Sequence, residues 1–209
     1  MINPLDLASH GPVIPVIVLQ RVADAVPMAR ALLAGGVRVL EVTLRTPVAL
    51  ACMRAIAQAV PEAILGAGTL RSAADVRAAV EAGCQFGVSP GFTPEIAAAC
   101  QREGLALLPG VATAGEVMAA NAAGYSFLKL FPASAVGGVP LLKALAGPFG
   151  DVVFCPTGGI SLDNARQYLS LPNVKVCGGS WLTPQDALDS GDFERITCLA
   201  REAVAALSA

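Results

Sequence analysis

The chain has 209 residues, of which 55% are hydrophobic and 14% charged, with a formal net charge of −2. That length suits one full core, and a single domain over residues 1–209 is expected. The near-neutral balance, without a basic run and with few aromatics, leaves no electrostatic footprint for a nucleic acid, and no apolar run approaches the roughly 20 residues of a membrane span.

Residues 1–12 read as a helical or extended lead-in. Met1-Ile-Asn-Pro-Leu-Asp6 has no basic region followed by an apolar one, so no signal peptide is expected. From residue 13 short apolar runs alternate with Ala-rich helical stretches. Val13 to Leu19 is a first strand, and Val22 to Leu33 a helix stopped by Gly35-Gly36. Val37 to Leu44 is the second strand, with a helix from about Pro47 to Val60. Ala63 to Gly66 is the third, and Ser72 is the N-cap of a helix ending near Gly83. Cys84 to Val88 is the fourth, followed by a helix from Thr93 to Glu103. Leu105 to Leu108 is the fifth, with a helix from Thr113 to Ala123. Gly124 to Pro132 carries the sixth, with a short helix around Val139 to Leu145. Val152 to Cys155 is the seventh, with a helix opening at Ser161; Val174 to Cys177 is the eighth, and Phe193 to Leu207 the last helix. Pro47, Pro94 and Pro140 sit at helix starts, and Gly36, Gly83, Gly104 and Gly124 close helices just before strands.

Eight strand–helix units in one domain argue for a (β/α)8 TIM barrel. The alternative, a doubly wound open sheet, would carry a Gly-rich first turn. The first turn here, Gln20-Arg21-Val22-Ala23-Asp24, has no glycine.

The sixth strand carries a charge in its middle: Lys129, inside Phe127-Leu-Lys-Leu-Phe131. An unpaired ammonium in a strand core costs several kcal/mol. Burial disfavours the charged form of a lysine, and a free amine is a nucleophile towards a carbonyl. The competing reading is a strand-end lysine that snorkels to water. Of the chain's other two lysines, Lys143 lies in a helix-like segment and Lys175 at a strand start.

In a barrel, catalytic residues gather at the C-terminal ends of the strands. The second strand ends Glu41-Val-Thr-Leu-Arg45-Thr46, and alternation puts Glu41, Thr43 and Arg45 on one face, here the interior. An isolated Glu and Arg could be a structural ion pair; sharing an interior with Lys129 favours catalysis. The third strand ends Gly66-Ala-Gly-Thr69, a backbone able to approach a ligand beside a hydroxyl, or a plain tight turn with an N-cap. The fourth ends Ser89-Pro90-Gly91-Phe92, a rigid turn. After the last two strands come Thr157-Gly158-Gly159-Ile160-Ser161 and Gly178-Gly179-Ser180-Trp181, where barrels often bind phosphate on backbone N–H groups. The six cysteines form no Cys-x-x-Cys pair and mostly sit in apolar runs, which suits reduced thiols and a cytoplasmic protein. The single histidine, His10, cannot make a histidine-rich metal site, so no such metal is expected, and an imine route through Lys129 calls for no cofactor. Together these features describe a carbon–carbon lyase acting on a phosphorylated keto acid through an imine.

Gly36-Val-Arg-Val-Leu-Glu41-Val-Thr-Leu-Arg45 and Gly124-Tyr-Ser-Phe-Leu-Lys129-Leu-Phe-Pro132 resemble the two signatures of the 2-keto-3-deoxy-6-phosphogluconate (KDPG) aldolases. The similarity extends to Gly66-Ala-Gly-Thr69, Ser89-Pro-Gly91, Cys155-Pro-Thr-Gly-Gly-Ile160 and Gly178-Gly-Ser-Trp181, and so covers nearly the whole chain. The resemblance implies a class I aldolase of the Entner–Doudoroff pathway, cleaving the phosphorylated keto acid to pyruvate and D-glyceraldehyde 3-phosphate. It also implies a homotrimer that needs no metal; some members split 4-hydroxy-2-oxoglutarate to pyruvate and glyoxylate. A sister group acts on the galactonate epimer, but Thr43-Leu44-Arg45 is of the gluconate type.

Carried over residue by residue, the resemblance gives Lys129 the imine and Glu41 the proton transfers. Arg45 and Thr69 would hold the pyruvate carboxylate, with Pro90 and Phe131 shaping the pocket. Thr157 would lie near the substrate hydroxyls, and Gly158, Gly159 and Ser180 would take the phosphate. Where the family often offers the phosphate a basic residue, at the end of the first strand, this chain has Arg21. Two rivals remain on the same barrel: a phosphosugar isomerase or epimerase, which would need no imine, and a non-catalytic phosphate-ligand binder, with little need for Glu41 beside Lys129.

Overall fold

The computed structural model describes residues 4–208. The lead-in is a 3-10 helix over Pro4–His10, and residues 1–3 lie outside the described residues. Nine parallel β segments follow: β1 (Val13–Ile17), β2 (Val39–Thr43), β3 (Ile64–Gly68), β4 (Phe86–Val88), β5 (Ala106–Leu108), β6 (Gly110–Val111), β7 (Phe127–Leu130), β8 (Val153–Pro156) and β9 (Cys177–Gly179). The helices between and after them are α1 (Ala25–Ala34), α2 (Ala49–Ala59), α3 (Ala73–Glu81), α4 (Pro94–Glu103), α5 (Ala114–Ala122), α6 (Gly138–Leu145), α7 (Leu162–Leu169), α8 (Gln185–Ser190) and α9 (Phe193–Leu207).

The strands pair in the order β5-β4-β3-β2-β1-β9, and a second run pairs β6-β7-β8. β5 and β6 are two halves of one barrel strand. Pro109 between them has no N–H to give a ladder, but its carbonyl accepts from the Lys129 N–H at 2.8 Å. One half pairs with β4 and the other with β7. On the far side, single bridges at Phe154–Val174 and Thr157–Gly178 join β8 to the run ending in β9. The circuit closes as the expected (β/α)8 barrel, with its fifth strand split.

Several boundaries differ from the sequence reading. Val22–Asp24 is a 3-10 turn, and α1 starts only at Ala25. Pro27 explains this: an α-helix begun at Val22 would need its missing N–H, whereas at the third helical position nothing is lost. Residues 44–48 form a turn before α2, with the Thr46 hydroxyl donating to the Leu19 carbonyl at 2.7 Å. The short helix α8 has no strong periodicity in the sequence; it follows Pro184 and stops at left-handed Gly191. Ser72 caps α3 as expected, and Thr93, read as the first residue of its helix, is instead the N-cap of α4.

Alternation divides the apolar residues into three groups. Val39, Phe86, Val88, Ala106, Leu108, Phe127, Cys155 and Val176 point into the barrel with Ile14, and Leu7 of the 3-10 helix plugs its N-terminal end. Their outward neighbours, such as Leu40, Val42, Leu65, Leu128 and Phe154, pack under the helices. An apolar floor therefore fills the N-terminal half of the barrel, leaving polar side chains to its C-terminal half.

Candidate active site

Lys129 on β7 and Glu41 on β2 both point inward above that floor. Their Nζ and Oε1 atoms are 3.2 Å apart, with 4% and 3% of the two side chains exposed. Each charge offsets the other's desolvation, so neither could be buried alone without a large cost. Gly68 makes room for the carboxylate, since a methyl group there would overlap Glu41 Oε1. The Phe131 ring lies 5.4 Å from Lys129 Nζ, within reach of a cation–π contact. Opposite Lys129 in the β7–β8 register sits Cys155. Burial pushes its thiol up to about 12, against the lowering pull of Lys129, so it is a neutral wall of the chamber.

Arg45 follows the end of β2, and its Nε–H donates to the Thr69 hydroxyl at 3.1 Å. Thr69 has φ 64, a left-handed backbone in which a β-branched residue is a rare exception. Thr43 does not share this opening; its hydroxyl donates to the Ile17 carbonyl at 2.9 Å and staples β2 to β1.

A cavity of about 110 Å³ opens beside Phe131, whose ring separates it from Lys129 Nζ, and is lined by Arg45, Phe131, Thr157, Gly158, Gly159 and Ser180, with Val16, Ile160, Gly178 and Gly179. Gly158 and Gly159 both have positive φ, at 99 and 75. Asn164, absent from the sequence-predicted set, holds this turn from outside. Its Nδ2–H donates to the Gly159 carbonyl at 2.9 Å, and its Oδ1 accepts from the Ser161 N–H at 3.0 Å. The Ser-x-x-Asn spacing at the start of α7 is a signal that could have found it.

Of the sequence-predicted residues, Lys129, Glu41, Thr69, Pro90 and Arg21 are not in the lining of this cavity; Lys129 reaches it through the Phe131 ring and Thr69 through Arg45. Pro90 lies at the barrel mouth against Gly110, where a methyl group would overlap its carbonyl. Arg21 is engaged elsewhere: its Nε–H donates to Asp24 Oδ2 at 2.8 Å and its Nη2–H to the Leu188 carbonyl at 2.8 Å. A larger cavity of about 360 Å³ opens at the opposite end of the barrel, between the N-terminal segment and Tyr125. No carboxylate, amine or guanidinium among the described residues lines it, whereas Arg45 lines the smaller one. Among the described residues no group of three or more His, Cys, Asp or Glu is placed to hold a metal, and no helix is long and apolar enough to cross a membrane.

This arrangement can offer an amine to a carbonyl, a carboxylate to shuttle protons, and an Arg with a cluster of backbone N–H groups to an anion at each end. Comparison with known proteins agrees in kind. The model of the KDPG and KHG aldolase family matches residues 6–199. The KHG/KDPG aldolase of Escherichia coli K12 is 55% identical over 199 residues, covering 95% of this chain and 93% of that one. A crystal structure of KDPG aldolase from Legionella pneumophila, with pyruvate captured as a covalent carbinolamine, superposes with a TM-score of 0.95 at 44% identity, covering 97% and 98% of the two chains. The Zymomonas mobilis aldolase with 3-phosphoglycerate superposes at 0.89 and 46%, covering 96% and 94%. A match that runs almost end to end, through relatives more than half identical and structures that overlay along nearly their whole length, makes the assignment plain: the chain belongs to the KDPG and KHG aldolase family.

Proposed function

We propose that the protein is a class I aldolase that cleaves 2-keto-3-deoxy-6-phosphogluconate to pyruvate and D-glyceraldehyde 3-phosphate. The observation that carries this reading is the Lys129–Glu41 pair, buried and 3.2 Å apart in the barrel interior.

Lys129 Nζ adds to the C2 carbonyl of the keto acid, giving a carbinolamine, and loss of water gives the imine. Glu41 exchanges the protons these steps require, taking one from the ammonium to free the amine and delivering one to the departing hydroxyl. The protonated imine then draws the electron pair of the C3–C4 bond as that bond breaks. The C4 hydroxyl proton goes to Glu41, and the aldehyde leaves. Protonation of the resulting enamine at C3 and hydrolysis of the imine release pyruvate and restore the lysine. Arg45 gives the C1 carboxylate a charge-assisted grip, with Thr69 fixing the guanidinium from the side. The N–H groups of the 158–159 and 178–180 turns, with the Ser180 hydroxyl, receive the phosphate.

The carbinolamine captured in the Legionella relative supports the covalent route, and the phosphoglycerate on the Zymomonas relative supports a phosphorylated substrate. The reading extends to 4-hydroxy-2-oxoglutarate as a second substrate and to a cytoplasmic homotrimer, which light scattering would test. Lys129→Ala should abolish pyruvate release from the phosphorylated keto acid while the protein keeps its circular dichroism. Cleavage at the wild-type rate in that variant would refute the imine route.

A further inference from the structure

We infer that Trp181 is a positioning residue: by packing against Gly179 it holds the 178–180 turn in the conformation that receives the substrate's phosphate. The inference rests on the phosphorylated-substrate reading above. The indole lies so close to Gly179 that a methyl group on that residue would overlap the ring carbons Cζ3 and Cε3. Its neighbour Gly178 is closed from the other side, where a methyl group would overlap the Thr157 side chain. Two glycines, the residues with most conformational freedom to lose, are thus clamped between a side chain in the barrel and a ring outside it.

The ring itself has little room to move. It packs against both outer apolar groups, the one under α1 to α4 and α9 and the one under α5 to α7. Its Nε1 is buried without a hydrogen-bond partner among the described residues, so shape and not polarity holds the indole in place. A set of backbone N–H groups binds an anion well only if it is aimed beforehand; otherwise ordering the turn is charged against the affinity. The exposed Ser180 follows directly, so the ring that fixes Gly179 also sets where this hydroxyl stands.

The test runs the reaction in the condensation direction at saturating pyruvate, comparing D-glyceraldehyde 3-phosphate with D-glyceraldehyde. Trp181→Leu should raise KM for the phosphorylated aldehyde roughly tenfold or more, the scale of one hydrogen bond to a charged group. KM for the unphosphorylated aldehyde and kcat for both should stay within about twofold. Trp181→Phe keeps an aromatic plane and should behave as wild type. A parallel loss on both aldehydes, or an unchanged KM in Trp181→Leu, would overturn the inference. A wild-type enzyme that shows no preference for the phosphorylated aldehyde would instead bring down the phosphate reading itself. Should Trp181→Leu fail to fold, the native protein decides, because Trp181 is its only tryptophan. Its emission should change saturably with inorganic phosphate over the range in which phosphate inhibits cleavage, and emission unmoved across that range would contradict the inference.

Discussion

Glu41 has two duties that different substitutions separate. Glu41→Gln keeps the shape and a hydrogen-bonding group beside Lys129 but cannot take a proton, so kcat should fall by about 10²–10⁴, and the lost counter-charge should lower stability by less than full removal of the polar group. Glu41→Leu leaves the buried Lys129 uncompensated and should cost about 3–5 kcal/mol in urea unfolding as well. Equal stability in the two variants would mean that the pair is more hydrated than its burial indicates. Thr69 presents a second contrast. Its left-handed backbone costs roughly 1–3 kcal/mol, against about 1 kcal/mol of chain entropy regained by threonine over glycine. Thr69→Gly should therefore keep or raise the melting temperature while KM for pyruvate rises, since Arg45 loses its side support. A lower melting temperature would show that the strain is not there.

Among the elements, β3 shows how a strand makes room for chemistry. Its inward positions Gly66 and Gly68 carry no side chain because the Phe86 ring fills the space over one and the Glu41 carboxylate the space over the other. Gly68→Ala should displace the carboxylate, lowering kcat well below wild type and costing about 1–3 kcal/mol by overpacking; a variant with unchanged kcat would contradict that geometry. The sequence made much of this legible. The inward face of β2 at Glu41 followed from strict alternation, and a charged residue in an apolar strand singled out Lys129. The glycine turns were legible because few other residues suit them. What escaped was nonlocal or short. The break at Pro109 depends on which strand pairs with which half, α8 is too short for a period, and Arg21 is claimed by Asp24 and the Leu188 carbonyl, a partner far along the chain. Asn164 and Trp181 touch the backbone of the turns, not the ligand's expected position, so residue type alone did not mark them.

For the molecule as a whole, the cysteines couple stability to alkaline pH. Five are buried and only Cys198 is exposed. Burial pushes the thiols of Cys84 and Cys155 up to about 12 and that of Cys100 to about 11, from 9.0, and raises that of Cys177 further. Above pH 9 the unfolded chain loses these protons while the folded chain keeps them. Stability should therefore fall as pH rises from 9 towards 11–12, by up to about 1.4 kcal/mol per pH unit for each thiol. Urea unfolding at a series of pH values measures it, and a flat profile from pH 8 to pH 10 would contradict the burial argument. At neutral pH a thiol reagent should label Cys198 alone in the native protein. The central claim, that the barrel closes around Lys129 in order to make it a nucleophile, has a direct test. Borohydride added to the native protein with pyruvate, followed by peptide mass analysis, should leave a reduced pyruvyl adduct on Lys129 and on neither Lys143 nor Lys175. Folded protein that carries no adduct on Lys129 would mean that the lysine acts only through its charge, and the imine chemistry would have to be abandoned.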